Sequence, residues 1–278
     1  MKAAFAAIGD LVSRIKRPLA HPLTRHLDLD DPETTAKRKQ IICSKPFLKR
    51  IYAEWYGLIA AAIPSGPEPV LELGSGAGFM SESVPGLITS DMLPSPGVRV
   101  VTDGRALPFA SEVLRGVAMV DVLHHIPDVG RFFSEAARCV RPGGVITMVE
   151  PWVTRWSKLV YTHLHHEPFM ADAVDWTFSS TGPLSGANGA LPWIVLDRDR
   201  SRFERAFPQW RIQAIKPFMP LRYLLSGGVS MRTLQPGWSF GFWKVVERSL
   251  ERLGINAAMF AFIVLRRVSQ TRQTGIEH

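Results

Sequence analysis

Residues 70–78, Val-Leu-Glu-Leu-Gly-Ser-Gly-Ala-Gly, constrain the fold more than any other stretch. A short apolar run carries one acid, Glu72. Three glycines then alternate: Gly74, Gly76 and Gly78. Glycines in this pattern allow positive φ and let the backbone come close to a ligand. The pattern predicts a buried strand that turns sharply into a helix. A dinucleotide fingerprint, Gly-x-Gly-x-x-Gly, would need glycine at position 79, where the chain has Phe79.

The following segments repeat the strand signal. Gly86–Asp91 and Val98–Asp103 are two runs that each end in an acid. Gly116–Leu123 is a third, followed by His124 and His125. Val129, Phe132, Phe133, Ala136, Ala137 and Val140 have helical spacing, and Arg141-Pro-Gly-Gly144 breaks it. Val145–Val149 is a further strand, ending at Glu150-Pro151. Continuous apolar runs between turns suit strands buried on both faces, hence a parallel sheet. Acids at the carboxyl ends of such strands fall where open α/β sheets bind ligands. Two connections are short. Gly78 to Gly86 leaves room for about two helical turns, and the six residues 92–97 cannot hold a crossover helix, which needs about a dozen. A trimmed sheet edge is expected, with the position of Asp91 open to displacement.

The acid two residues before the first glycine, with Gly-x-Gly-x-Gly after it, resembles motif I of the class I S-adenosylmethionine (SAM) methyltransferases. The order of Leu107-Pro-Phe109, Leu123-His-His125 and Arg141-Pro-Gly-Gly144 resembles the type 11 methyltransferase group, over about residues 68–151. This likeness implies a Rossmann-like α/β fold: a mostly parallel sheet, an antiparallel last strand, N-terminal helices over the cofactor and a long insertion after strand 5. It implies SAM as cofactor. Gly74, Gly76 and Gly78 would approach its methionine and ribose parts, and Glu72 its amino end. Asp91 would take the ribose hydroxyls, and Asp103 the adenine amino group beside Gly104 and Leu107. Asp121 and Leu123 would face the sulfonium. His124 and His125, at the end of strand 4, are the candidate catalytic bases.

The rest of the chain divides around this core into residues 1–64, 65–151, 152–210 and 211–278. In residues 1–20, Phe5, Ile8, Val12, Ile15 and Leu19 form an apolar stripe on a basic segment, as a membrane-surface helix would show. Residues 21–35 read as a linker, and 36–63 as helix interrupted at Pro46. Residues 152–210 read as a lid or substrate insertion. Arg211–Ile215 and Ala257–Val268 read as strands, with a helix at Phe240–Leu253. All tryptophans but Trp55 lie beyond residue 150, and such rings suit apolar pockets with wet edges.

The formal charge of +8 is uneven: both flanks are basic and residues 61–196 are acidic. Basic flanks mixed with apolar residues favour contact with an anionic membrane over nucleic acid, which is not expected as a partner. No apolar run reaches transmembrane length, and Cys43 and Cys139 give no disulfide framework. A cytoplasmic protein that touches the membrane peripherally is the expectation. His163, His165, His166 and Glu167 cluster in the insertion; without a second ligand set no metal is expected, and the readings left are an ordinary polar segment or a part in shaping the acceptor pocket, as a base among other roles. The function expected is methyl transfer to a small or lipid-linked acceptor. The alternatives are a non-catalytic binding module on the same fold and an NAD(P)-dependent oxidoreductase, which Phe79 and the Leu-His-His segment oppose.

Overall fold

The computed structural model describes residues 32–165, 167–180, 182 and 186–269. The amphipathic stripe of residues 1–20, most of the linker, His166 and the basic tail beyond 269 lie outside them.

Among the described residues, seven strands form one sheet: β1 (Val70–Leu73), β2 (Leu87–Asp91), β3 (Val100–Val101), β4 (Leu114–Val120), β5 (Val140–Pro151), β6 (Trp210–Phe218) and β7 (Phe260–Arg267). The spatial order is β3-β2-β1-β4-β5-β7-β6. The first five run parallel, and β7 is antiparallel to both β5 and β6. The chain order reverses at β1 and β4, so a crevice opens between their carboxyl ends.

Side-chain alternation explains why the strands read as continuous apolar runs. Leu71, Leu73, Val117, Met119, Ile146 and Met148 face one core with Phe132, Phe133 and Ala136. Val70, Ala118, Val145 and Val149 face the other with Ile51, Trp55 and Ile59. Each strand residue therefore meets an apolar layer on whichever side it points.

The helical cover has two parts. Helices α1 (Pro32–Ser44) and α2 (Pro46–Ala62) are separated at Lys45, as Pro46 predicts. Phe47, Leu48, Ile51, Trp55, Tyr56 and Ile59 put α2 on the sheet. On the opposite face lies α3 (Val129–Cys139), which Asp128 caps by accepting from Arg131 N at 3.0 Å. The insertion contributes α4 (Arg155–Leu164), a short wound segment at Leu191–Arg198 and α5 (Arg200–Ala206). Then follow α6 (Arg222–Ser226) and α7 (Phe240–Arg252). Buried Arg222 ties three helices together. It pairs with Glu54 of α2 at 2.9 Å and with Glu247 of α7, which also accepts from the Leu221 and Arg222 amides.

The structure corrects three expectations. The glycine turn leads into a single 3-10 turn, Met80–Glu82, where an α-helix was expected; the short connection of eight residues before β2 holds only this turn. Strand β3 has two residues rather than six, because only Val100 and Val101 find partners in β2. The Arg141-Pro-Gly-Gly144 turn ends α3 but does not delay the strand. Extended pairing begins at Val140 opposite Leu114 and accommodates the turn residues as an irregularity before Val145 pairs with Gly116.

Candidate active site

The crevice is a cleft of about 780 Å³ at the carboxyl ends of β1, β2 and β4. Glu72, Gly74, Gly76, Gly78, Asp91, Asp103, Gly104, Asp121 and His125 all line it. Thr35, Arg38 and Ile42 of α1, Tyr52 and Tyr56 of α2, Glu167 and Phe178 of the insertion, and Tyr223 of α6 close it.

The glycine turn is built by backbone geometry. Gly74 and Gly76 have φ of +68° and +35°. A Cβ on Gly74 would stand 2.5 Å from a Val122 methyl, and one on Gly78 2.6 Å from the Tyr56 hydroxyl. Any larger residue at either position would displace a wall of the cleft. The turn is pinned to β2: Ser75 N donates to Ser90 O at 2.8 Å, and Ser90 Oγ donates to Glu72 O at 2.7 Å. Asp91 Oδ2 accepts from Gly76 N at 2.9 Å, and Oδ1 from Leu93 N at 3.2 Å. Asp91 lines the cleft beside the glycine turn. It ends β2, and its carboxylate keeps free lone pairs toward the cleft.

The acids differ in ionisation. Burial, with Asp91 nearby, pushes the Glu72 carboxyl up to about 8. Burial opposes ionisation of Asp103, but Arg105 outweighs it and holds the carboxyl below its ordinary range. Arg105 grips both Asp103 oxygens, with Nε and Nη2 contacts of 2.6–3.0 Å. Asp121 closes β4 at φ +62°, a left-handed conformation that Asp tolerates. Burial raises its carboxyl to about 7.

His124 and His125 share a 3-10 turn, Leu123–His125, with ring centroids 4.2 Å apart. His124 is 1% exposed and lies behind the cleft wall. Its Nδ1 is 2.8 Å from Glu150 Oε2, while Glu150 Oε1 accepts from Val122 N and Leu123 N at 2.8 and 2.7 Å. Its Nε2 is 3.5 Å from Glu167 Oε2. Burial resists charge on His124, but Glu150 and Glu167 prevail and raise its pKa well above the ordinary value. His125 does face the cleft. Burial and charged His124 lower its pKa to about 4, so it is neutral at pH 7.

Leu107 and Leu123 do not reach the cleft. Both are packed in the core beside α3, and Leu107 N donates to Glu135 Oε2 at 3.0 Å. Among the cleft groups beyond the sequence reading are Thr35, Arg38, Tyr52, Tyr56 and Tyr223, which carry no motif; Glu167 was legible as part of the histidine-rich stretch, but not as a partner of the Leu-His-His turn. An acid within a histidine-rich stretch was the signal for the last.

Residues 71–148 match the family model described as a methyltransferase domain. Over these residues the chain carries a methyltransferase domain. No curated protein matches it in sequence. Among solved structures, a methyltransferase complexed with the Trm112 methyltransferase activator of Haloferax volcanii aligns with TM-score 0.50. Identity is 13%, over 87% of this chain and 100% of that one. The geranyl diphosphate C-methyltransferase of Streptomyces coelicolor A3(2) aligns at 14% identity and TM-score 0.47, over 94% and 98%. A SAM-dependent methyltransferase of Mesorhizobium loti gives 17% and 0.45, over 77% and 98%. At these identities the likeness is one of fold.

The cofactor of this methyltransferase domain is SAM, and the residues present fit it. The turn that leaves no room for a Cβ at Gly74 or Gly78 presents bare backbone to the cleft. Acidic side chains along the cleft suit an ammonium and a diol. When bound, SAM supplies an electrophilic methyl on sulfur; the protein supplies position and surroundings.

Proposed function

We propose that the protein transfers the SAM methyl group to a small or lipid-like acceptor. One observation carries the reading: the glycine turn and the acids Glu72, Asp91, Asp103 and Asp121 converge on one cleft at the switch point of the sheet. In this reading Glu72 and the glycines hold the methionine part of SAM. Asp91 takes the ribose diol, and Asp103 with Gly104 lies along the adenine. Asp121, His125 and Glu167 face the acceptor. Of the two histidines only His125 reaches the acceptor directly; His124 acts through its neighbours.

Tyr52, Tyr223, Ile42, Val229 and Phe178 support an apolar acceptor, since they make much of the cover aromatic or aliphatic. Peripheral contact with an anionic membrane from the cytoplasm belongs to the same proposal. Trp238, Phe242, Val245 and Leu253 are 83%, 63%, 61% and 75% exposed in and beside α7, where Arg248 and Arg252 are also exposed. Among the described residues no helix is long and apolar enough to cross a membrane.

Calorimetric titration with SAM and its demethylated product tests the cofactor site, and absence of heat with both would sink it. Incubation with labelled SAM and fractionated extract, followed by identification of the labelled product, names the acceptor. Co-sedimentation with anionic and neutral vesicles tests the surface. A Trp238→Ala, Phe242→Ser double variant should pellet less with the anionic vesicles, and equal, negligible pelleting of both proteins would remove membrane contact from the proposal.

A further inference from the structure

The insertion's histidine-rich stretch lacks a second ligand set in the sequence, and folding supplies one. Glu167 of that stretch stands against the Leu-His-His turn. Its Oε2 is 3.5 Å from His124 Nε2, and its Oε1 is 3.8 Å from His125 Nε2. One ligand atom from each of the three residues lies within 4.8 Å of the others.

These separations are long for hydrogen bonds, whose N···O distances centre near 2.9 Å. They approach the spacing of atoms that share a metal ion. Two ligands at about 2.0–2.2 Å from an ion, at a tetrahedral angle, stand about 3.3–3.5 Å apart.

The far side of each ring agrees. Gly186 O, 3.1 Å from His125 Nδ1, can only accept, so Nδ1 carries the hydrogen and neutral His125 presents a bare Nε2. His124 Nδ1 is held by the Glu150 carboxylate at 2.8 Å. Carboxylates and backbone carbonyls at the second ring nitrogen are the partners that orient histidines bound to metals. Glu150 is itself held by two backbone amides, so it supports the site rather than competing for the ion.

The third ligand is held in place as well. Asn188 N donates to His124 O at 2.9 Å, and the Asn188 side chain bonds both N and O of Met170, at 2.9 and 3.1 Å. Gly189 N donates to Pro168 O at 2.9 Å. This ladder fixes the loop carrying Glu167 against the turn carrying both histidines.

We propose that His124, His125 and Glu167 form a two-histidine, one-carboxylate site for a divalent transition-metal ion. Its unprotected side faces the cleft, where an acceptor bearing an ionisable oxygen completes the coordination shell. The metal site stands apart from the methyltransferase reading; only the role given to the acceptor oxygen rests on it.

The test uses the untagged full chain, stripped with a chelator and titrated with Zn²⁺ alone against a chromogenic competitor. One equivalent should bind with micromolar or lower Kd. His125→Ala and Glu167→Gln should each weaken binding at least tenfold, while His163→Ala, on α4 and outside the site, should not. Co²⁺ should give visible absorption bands that the first two variants lose. Absence of an equivalence point, or unchanged affinity in both variants, overturns the proposal. A parallel SAM titration separates the two readings. Zinc binding without SAM binding would leave the metal site standing and remove the cofactor assignment; SAM binding without zinc binding would do the reverse.

Discussion

The two walls of the cleft are built by opposite means. The wall at β1 and β2 is mostly backbone. Its shape comes from Gly74 and Gly76 at positive φ, and from amides that bind Asp91 and Ser90 within about twenty residues of sequence. The wall facing it is made of side chains drawn from β5, the turn after β4 and the insertion. Glu150, His124 and Glu167 are joined there by buried charge. The first wall can lose its ligand without losing its fold. The second cannot lose a member without destabilising the protein, because an unpaired charge would be left in the interior.

The sharpest way to break this contrast is a substitution that strikes only the backbone wall. Gly76→Val places a branched side chain at φ +35°, with its Cβ 3.5 Å from Asp91 Oδ2. SAM affinity should fall by at least about a hundredfold, near 3 kcal/mol. Thermal stability should change far less than that. Unchanged affinity in a folded variant would show that the turn does not touch the cofactor.

The matching blow to the other wall is Glu150→Gln. One oxygen would become an NH₂ facing either the Val122 and Leu123 amides or the His124 ring. Urea unfolding should show a loss of about 2–4 kcal/mol. A loss below about 0.5 kcal/mol would mean that this wall is not held by charge.

A smaller effect separates the two cofactor acids. Asp91→Ala removes both a candidate diol acceptor and the anchor of Gly76, and should weaken SAM binding by about 1–3 kcal/mol. Asp103→Ala should cost less, because Arg105 already occupies much of that carboxylate. Calorimetry on both variants decides the order, and a larger loss at Asp103 would reverse it.

The smallest effect is a pH slope. The folded pKa of Glu72 is raised from 4.5 to about 8. A raised acid contributes stability that is present below about pH 4.5 and lost as pH rises through 8, since the folded state holds the proton more tightly. The neutral variant Glu72→Gln should gain melting temperature relative to wild type between pH 6 and 9. An identical pH dependence in the two proteins would refute the shift.

What could be read in the sequence follows the same division. The glycine turn, the parallel strands and the break at Lys45 rest on local pattern, and the antiparallel setting of β7 on the family resemblance. The acceptor wall does not. His124 and Glu150 are 26 residues apart, and Glu167 sits on a loop whose course depends on Asn188. Periodicity also cannot tell a leucine beside a ligand from one beneath it, so Leu107 and Leu123 fell in the core. The short connections were legible as lengths, residues 79–86 and 92–97, but not their outcome: a single 3-10 turn in the first, and a β3 that pairs with β2 only at Val100 and Val101.

The position of β7 has a consequence for how the chain is made. It lies between β5 and β6 and pairs with both along nearly its full length. Strand β6 leaves the ribosome some forty residues earlier, yet among the described residues its only sheet neighbour is β7. Strands β1 to β5 can pair as they emerge. The apolar face of β6 must wait for residues 260–267, so the sheet closes only once they have emerged. Until then β6 and the open edge of β5 are surfaces that chaperones would recognise.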